Sequence, residues 1–372
     1  MKIIGAVLEE IGRPRPYAES RPIRICELEL DPPGPGELLV RIEAAGLCRA
    51  DLSVVDGSRR QPVPMVLGHE AVGRVVELGE GIIDVHVGDR VVMAFLPRCE
   101  HCRNCQTDGR LPCSAGLAAN DAGELLNGGR RLHRDGQPLH HHLGVSGFAS
   151  HAVVDRRSAV VVGDDIPPEI AALLSCAVLT GGGAVINAGD PHTGDAVAVI
   201  GLGGVGMAAL ITAVSIGKGE TIGIDLLADR LERAREFGAS QVYTPEQALA
   251  EGVKAPIVIE AAGDGRAFET AVALTAAGGT TVTVGLPDPA TEATVRPLSL
   301  TTEARTIVGS YLGSAVPRRD IPRYAQLWRE GRLPVDKLIT SVIDLADINQ
   351  AMDRLADGKA IRQVIQIDSE ER

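Results

Sequence analysis

The stretch AVAVIGLGGVG, residues 196–206, constrains this chain more than any other. An apolar β-type run breaks into a GxGxxG turn and reopens as the helix-period segment MAALITAVSIG. Gly201 permits the tight turn, Gly203 lets backbone approach a pyrophosphate, and Gly206 lets the helix pack on the strand. The helix N-terminus then faces the anion. A glycine-rich turn of this kind can also be purely structural. Context favours a dinucleotide: Asp225 closes the next run, ETIGID, nineteen residues after Gly206. A carboxylate there accepts hydrogen bonds from the adenosine ribose and repels a 2′-phosphate. Arg230, five residues on, reaches the same ribose edge in this reading, which leaves tolerance of the phosphorylated cofactor open. ADRLERAREFGA, PIVIEAAG, FETAVALTAAG and GTTVTVGLP continue the alternation of helices and strands. Repeated βαβ units imply a parallel sheet covered on both faces.

Cysteine supplies the second local signal. Cys99-x2-Cys102-x2-Cys105-x7-Cys113 puts four thiols in one loop, enough for a closed tetrahedral zinc site. The alternatives are free cysteines that merely cluster, or a zinc ribbon for nucleic acid. With 37 basic and 49 acidic residues the formal charge is −12, which argues against nucleic-acid and anionic-membrane partners. An odd count of seven cysteines is a poor disulfide framework. The N-terminus, MKIIGAVLEE, turns charged too early for a signal peptide, and no uncharged apolar run reaches the ~18 residues of a membrane span. The expectation is a soluble, cytoplasmic protein.

At 372 residues the chain is long enough for about two domains. Ahead of Cys176 it reads as mainly β, with GELLVRIEAAGLC, GHEAVGRVVELGEG and VGDRVVMAF as short apolar runs bounded by Gly, Pro and Asp. Leu96 to about Leu143 reads as a loop-rich middle. Only nine residues are aromatic, so aliphatic side chains and Ala must fill the cores. Cys48, His69 and Cys176 are scattered, yet two thiolates and one imidazole have the composition of an open zinc site. Singly, each is equally at home in a core.

Taken together, these motifs resemble the zinc-dependent medium-chain alcohol dehydrogenases, in particular the liver-like branch with a four-cysteine structural lobe. The resemblance runs from GELLVRIEAAGLC to the C-terminal GKAIRQVIQ. It implies an α/β chain: a mainly-β GroES-like catalytic domain, residues 1–177 and 315–372 with the zinc lobe at about 97–115, flanking a Rossmann domain at 178–314. It implies two zinc ions, NAD, an alcohol or carbonyl substrate, and a homodimer or homotetramer joined through the edge TIVGSYLGS. Cys48, His69 and Cys176 would ligate catalytic zinc, with Glu70 behind it as a transient ligand and Asp51 orienting the imidazole. Arg49 and Arg362 would grip the pyrophosphate, Thr180 would contact the nicotinamide, and Gly204, Val205, Leu286 and Leu312 would join the cofactor site. Zinc in such a site acidifies the alcohol, and hydride passes to the cofactor.

The chain departs from this pattern at its proton relay. Ala50 stands where the family usually has Ser or Thr, and Ser53 where many relatives have His. His142 falls at an aromatic pocket position and is the candidate replacement relay, with an ordinary pKa of about 6.5. Arg59 falls at the pocket mouth and Phe95 at a pocket wall. Two other functions fit the same residues: a thiol-adduct formaldehyde dehydrogenase, although Ser114–Ala119 lacks the arginine of the glutathione type, and a non-catalytic NAD-binding protein.

Overall fold

The computed structural model describes residues 1–367, so the last five residues of the expected catalytic domain, 368–372, lie outside the described residues. The chain divides into two units: Met1–Thr107, Pro112–Cys176 and Ile339 onward form the first, and Asp108–Leu111 with Ala177–Leu338 the second.

Two sheets build the first unit. One has the strand order 137–138, 132–134, 23–30, 2–8, 65–66, 140–141; the other runs 159–162, 90–93, 71–78, 37–47, 362–366, 339–344, with 151–155 also paired to 37–47. The strand Glu37–Leu47 is buried along most of its length because both its faces are covered. Alternate side chains feed two cores: Leu38, Val40 and Ile42 enter one with Ala6 and Leu8, while Leu39 enters the other with Ile3 and Val7. That is the period of two that a strand imposes. Each such aliphatic side chain contributes ~1.5–3 kcal/mol on full burial.

In the second unit six parallel strands take the order 241–243, 221–224, 197–200, 255–260, 275–283, 306–309. In chain order this is 3-2-1-4-5-6, the doubly wound arrangement whose ligand crevice lies beyond the carboxyl ends of the central strands. The boundary expected after residue 314 lies further on. Helix Pro317–Arg329 buries Ile321, Tyr324 and Ala325, and the Tyr324 ring lies so close to Gly182 that any side chain there would collide with it. That packing keeps 315–338 with the second unit. The loop-rich middle also proves more regular than expected: it holds a helix, Ser114–Ala122, and a hairpin, Leu132–Arg134 with Gln137–Pro138. The hairpin turns on Asp135 and Gly136, both at positive φ as a two-residue turn demands. Among the described residues no helix is long and apolar enough to cross a membrane.

Candidate active site

Cys48 ends the long central strand and caps helix Arg49–Val55. Its backbone N–H donates to Asp51 Oδ2 at 2.8 Å, so the turn that carries the thiol also fixes the carboxylate. Asp51 Oδ1 then lies 3.0 Å from His69 Nδ1, which turns the other ring nitrogen, Nε2, toward Cys176 Sγ at 3.5 Å. Cys176 comes in just beyond helix Pro168–Leu173. Ligand atoms of Cys48, His69, Glu70 and Cys176 all fall within 4.8 Å of one another, and all four residues are buried. Two soft sulfurs, one imidazole and a carboxylate in reserve fit zinc well.

Charges in this cluster depend on one another. Burial opposes charging of His69, but the Asp51 carboxylate overrides it and holds the imidazole above its ordinary range. Burial likewise opposes ionisation of Asp51, and the two facing imidazoles, His69 and His142, nevertheless hold it well below the usual carboxylate range. A hydrogen bond between the Cys48 and Cys176 thiols lowers the first and raises the second. Glu70 is pushed up to about 7 by burial, partly offset by Arg362. Its Oε2 accepts from Arg362 Nη1 at 3.3 Å, while Oε1 is buried without a partner.

The structure gives several expected residues definite neighbours. His142, expected at an aromatic pocket position, is 1% exposed, packs edge-on against the His69 ring with centroids 5.2 Å apart, and burial lowers its pKa. Its Nδ1 lies 3.3 Å from Asp51 Oδ1, and that approach helps hold the Asp51 carboxylate down. Ser53 Oγ donates to the Arg49 carbonyl and is thereby occupied within its own helix. Arg362, expected at a pyrophosphate, is 2% exposed and turns its guanidinium to Glu70 and the Leu47 carbonyl. Arg49 is exposed, and the Phe95 ring meets His69 edge-on at 5.5 Å.

The four lobe cysteines do converge. Cys99 and Cys105 sulfurs are 3.9 Å apart and those of Cys102 and Cys113 4.0 Å apart. A tetrahedron with Zn–S bonds of about 2.3 Å has edges of about 3.8 Å, so the cluster fits a zinc ion. Backbone N–H groups of Cys99 and Gly116 donate to Cys113 Sγ, and that of Cys102 to Cys99 Sγ. A hydrogen bond from Ser114 helps lower Cys102 to about 5, whereas burial pushes Cys105 up to about 12.

In the second unit Gly201 sits at positive φ, and the Gly201 carbonyl lies where a side chain at Gly206 would have to go. Helix Gly204–Ile216 starts from this turn, with Val205 in its first turn. Asp225 uses both oxygens on backbone, accepting from Leu202 N at 2.6 Å and Leu227 N at 2.9 Å, with Arg230 Nη1 3.3 Å away. Thr180 is buried, Leu286 is half exposed beside Gly263, and Leu312 is buried at φ 53°. Glu260 was missed by the sequence reading. Its Oε1 accepts from Ala262 N and Gly263 N and its Oε2 from Thr283 Oγ1, which pins the loop beside the Gly201 turn. An acidic residue closing an apolar strand just before Ala-Ala-Gly was the available signal.

Residues 34–165 match the alcohol dehydrogenase GroES-like domain, and residues 204–330 match the zinc-binding dehydrogenase domain. Alcohol dehydrogenase B of Mycobacterium tuberculosis is 33% identical over 383 residues, covering 100% of both chains. The crystal structure of an alcohol dehydrogenase zinc-binding domain protein from Burkholderia ambifaria is 31% identical with a TM-score of 0.91, covering 99% of each chain. That of benzyl alcohol dehydrogenase from Acinetobacter calcoaceticus is 28% identical with a TM-score of 0.90, covering 99% of this chain and 100% of that one.

Proposed function

The chain belongs to the zinc-dependent medium-chain alcohol dehydrogenase family, and on that premise we propose that it moves hydride between a primary or secondary alcohol and NAD. The observation that carries this reading is the buried convergence of Cys48, His69 and Cys176 with Glu70 behind them. Zinc held by these residues supplies a Lewis acid that lets an alcohol hydroxyl ionise near neutral pH, and NAD supplies the hydride acceptor.

Everything else falls to the chain's own side chains. Asp51 fixes the His69 tautomer so that Nε2 faces the two thiols. Phe95 and His142 wall the imidazole and keep water from it. Asp225 presents a carboxylate to the adenosine ribose, already braced by two backbone N–H groups. Neither Ala50 nor Ser53 has a hydroxyl proton free for the usual relay, and His142 is too enclosed to hand a proton to solvent. The substrate proton therefore leaves by way of water. The second zinc belongs to the lobe cysteines. The exposed edge strand Thr306–Gly309 is the place for association with a second copy.

A panel of primary, secondary and aromatic alcohols and aldehydes, followed by NADH absorbance with and without added thiol, tests this reading. Turnover without thiol on at least one alcohol, with two zinc ions per chain by elemental analysis, is expected. Activity confined to formaldehyde plus a thiol would replace it with the thiol-adduct reaction.

A further inference from the structure

Three consecutive residues near the end of the second unit, Leu312, Gly313 and Ser314, have φ of 53°, 68° and 50°. Leu and Ser resist the left-handed region, and such strain persists only where surrounding structure imposes it. The turn follows the last strand of the parallel sheet, Thr306–Gly309, at its carboxyl end, where ligands of such sheets bind. Gly313 is packed so tightly that a side chain there would lie 2.6 Å from the carbonyl oxygen of Thr180, the expected nicotinamide contact.

Two braces hold this turn. Asn187 Nδ2 donates to the Gly313 carbonyl at 3.2 Å and to Asp320 Oδ2 at 3.3 Å, and Arg319 grips both Asp320 oxygens. The second brace is Asp108–Leu111, which lies in sequence between the lobe cysteines Cys105 and Cys113 yet packs within the second unit. Asp108 pairs with Arg319 at 2.7 Å, and a side chain at Gly109, φ 87°, would lie 2.2 Å from the Ser314 carbonyl oxygen. The loop is closed at its base by Asn104, which donates to the Pro112 carbonyl. The exposed ion pair contributes little. Contact of the Gly109 backbone with the turn cannot be relaxed without moving one of them.

We propose that the cysteine lobe serves the cofactor site: its Asp108–Leu111 loop buttresses the left-handed turn and so sets the grip on the nicotinamide end of the dinucleotide. The proposal rests on the NAD reading given above. Gly109 and Asn187 are positioning residues in it.

Gly109→Ala and Asn187→Ala, each with zinc content measured, test the idea through binding of NADH and of ADP-ribose, which lacks the nicotinamide. Displacing a strained turn should weaken NADH by about tenfold or more while ADP-ribose stays within about twofold, with both zinc ions retained. If Gly109→Ala does not fold, Asn187→Ala carries the test from outside the lobe. Unchanged NADH affinity in the variants that fold, or an equal loss of both ligands, overturns the proposal. Failure of the unaltered chain to bind NADH would instead overturn the cofactor reading, and the proposal with it.

Discussion

The cysteine lobe and the Cys48–His69–Cys176 centre draw on the same donor chemistry in opposite ways. The lobe gathers four thiols from fifteen consecutive residues and steadies them with nearby backbone N–H groups. The other centre takes its donors from a strand end, a turn and a helix exit far apart in sequence, and relies on buried side chains to aim them. A locally built site needs its metal to order the chain, whereas a site assembled by the fold exists before the metal arrives and can leave a position for chemistry.

The largest expected effect breaks the second centre alone. Cys176→Ser should lower turnover at least about a thousandfold, since a Lewis acid supplies several kcal/mol of charge stabilisation. It should remove one zinc ion and leave the melting temperature nearly unchanged. Loss of both ions, or a collapsed melting transition, would show that the two centres are not independent. The reciprocal change, Cys102→Ser, should lower the melting temperature by ~5 °C or more, because metal binding there contributes to folding. Identical melting curves would contradict the contrast.

A similar division separates what could be read in advance from what could not. The Gly201 turn, Asp225 and the four lobe cysteines lie in short segments, and the structure gathers each group as its spacing indicates. The scattered Cys48, His69 and Cys176 needed a family likeness, since no spacing rule links Cys48 to Cys176. The commitment of Arg362 to Glu70, the enclosure of His142 and the pinning role of Glu260 were illegible because each depends on which strands become neighbours. The helix and hairpin at 114–138 were missed for a different reason. Short elements rich in Gly and polar residues carry little periodicity, although Asp135-Gly136 was a legible hairpin turn.

Cofactor choice sharpens the comparison from the locally built side. Asp225 should favour NAD over NADP by about ten- to hundredfold in kcat/KM, through repulsion of the 2′-phosphate. Arg230 lies 3.3 Å from that carboxylate and partly offsets it, so Arg230→Ala should widen the ratio. Equal efficiency with both cofactors would overturn the role of Asp225.

Acid should affect the fold around the dispersed centre. His141 is fully buried, its Nε2 accepts from Arg131 N, and burial holds it down at about 3. Its strand pairs with Met65–Val66, just ahead of His69. The folded value is depressed, so the unfolded chain takes up the proton first. Stability from this group is therefore full above the unfolded value near 6.5 and falls by ~1.4 kcal/mol per pH unit below it, down to about pH 3. Denaturant titrations at pH 7 and 5.5 should show the loss, and His141→Gln should shrink it. An unchanged pH slope in that variant would assign the acid sensitivity elsewhere.

The smallest expected effect concerns the neighbouring histidine. A positioned acid–base group contributes ~10²–10⁴-fold to turnover, so a true relay at His142 could not be removed quietly. Its surroundings do not provide for that role. The ring is 1% exposed, its Nδ1 faces the carboxylate that already serves His69, and burial lowers its pKa below the ordinary histidine value. An enclosed imidazole can fill space and screen Asp51 from water, and a phenyl ring can do most of the same. His142→Phe should therefore keep turnover within about threefold and leave the near-neutral pH profile in place, well short of what loss of a relay would cost. A drop of a hundredfold with loss of a near-neutral inflection would return His142 to the proton path. Recovery of part of that drop by Ala50→Ser would then identify the missing hydroxyl as what His142 had replaced.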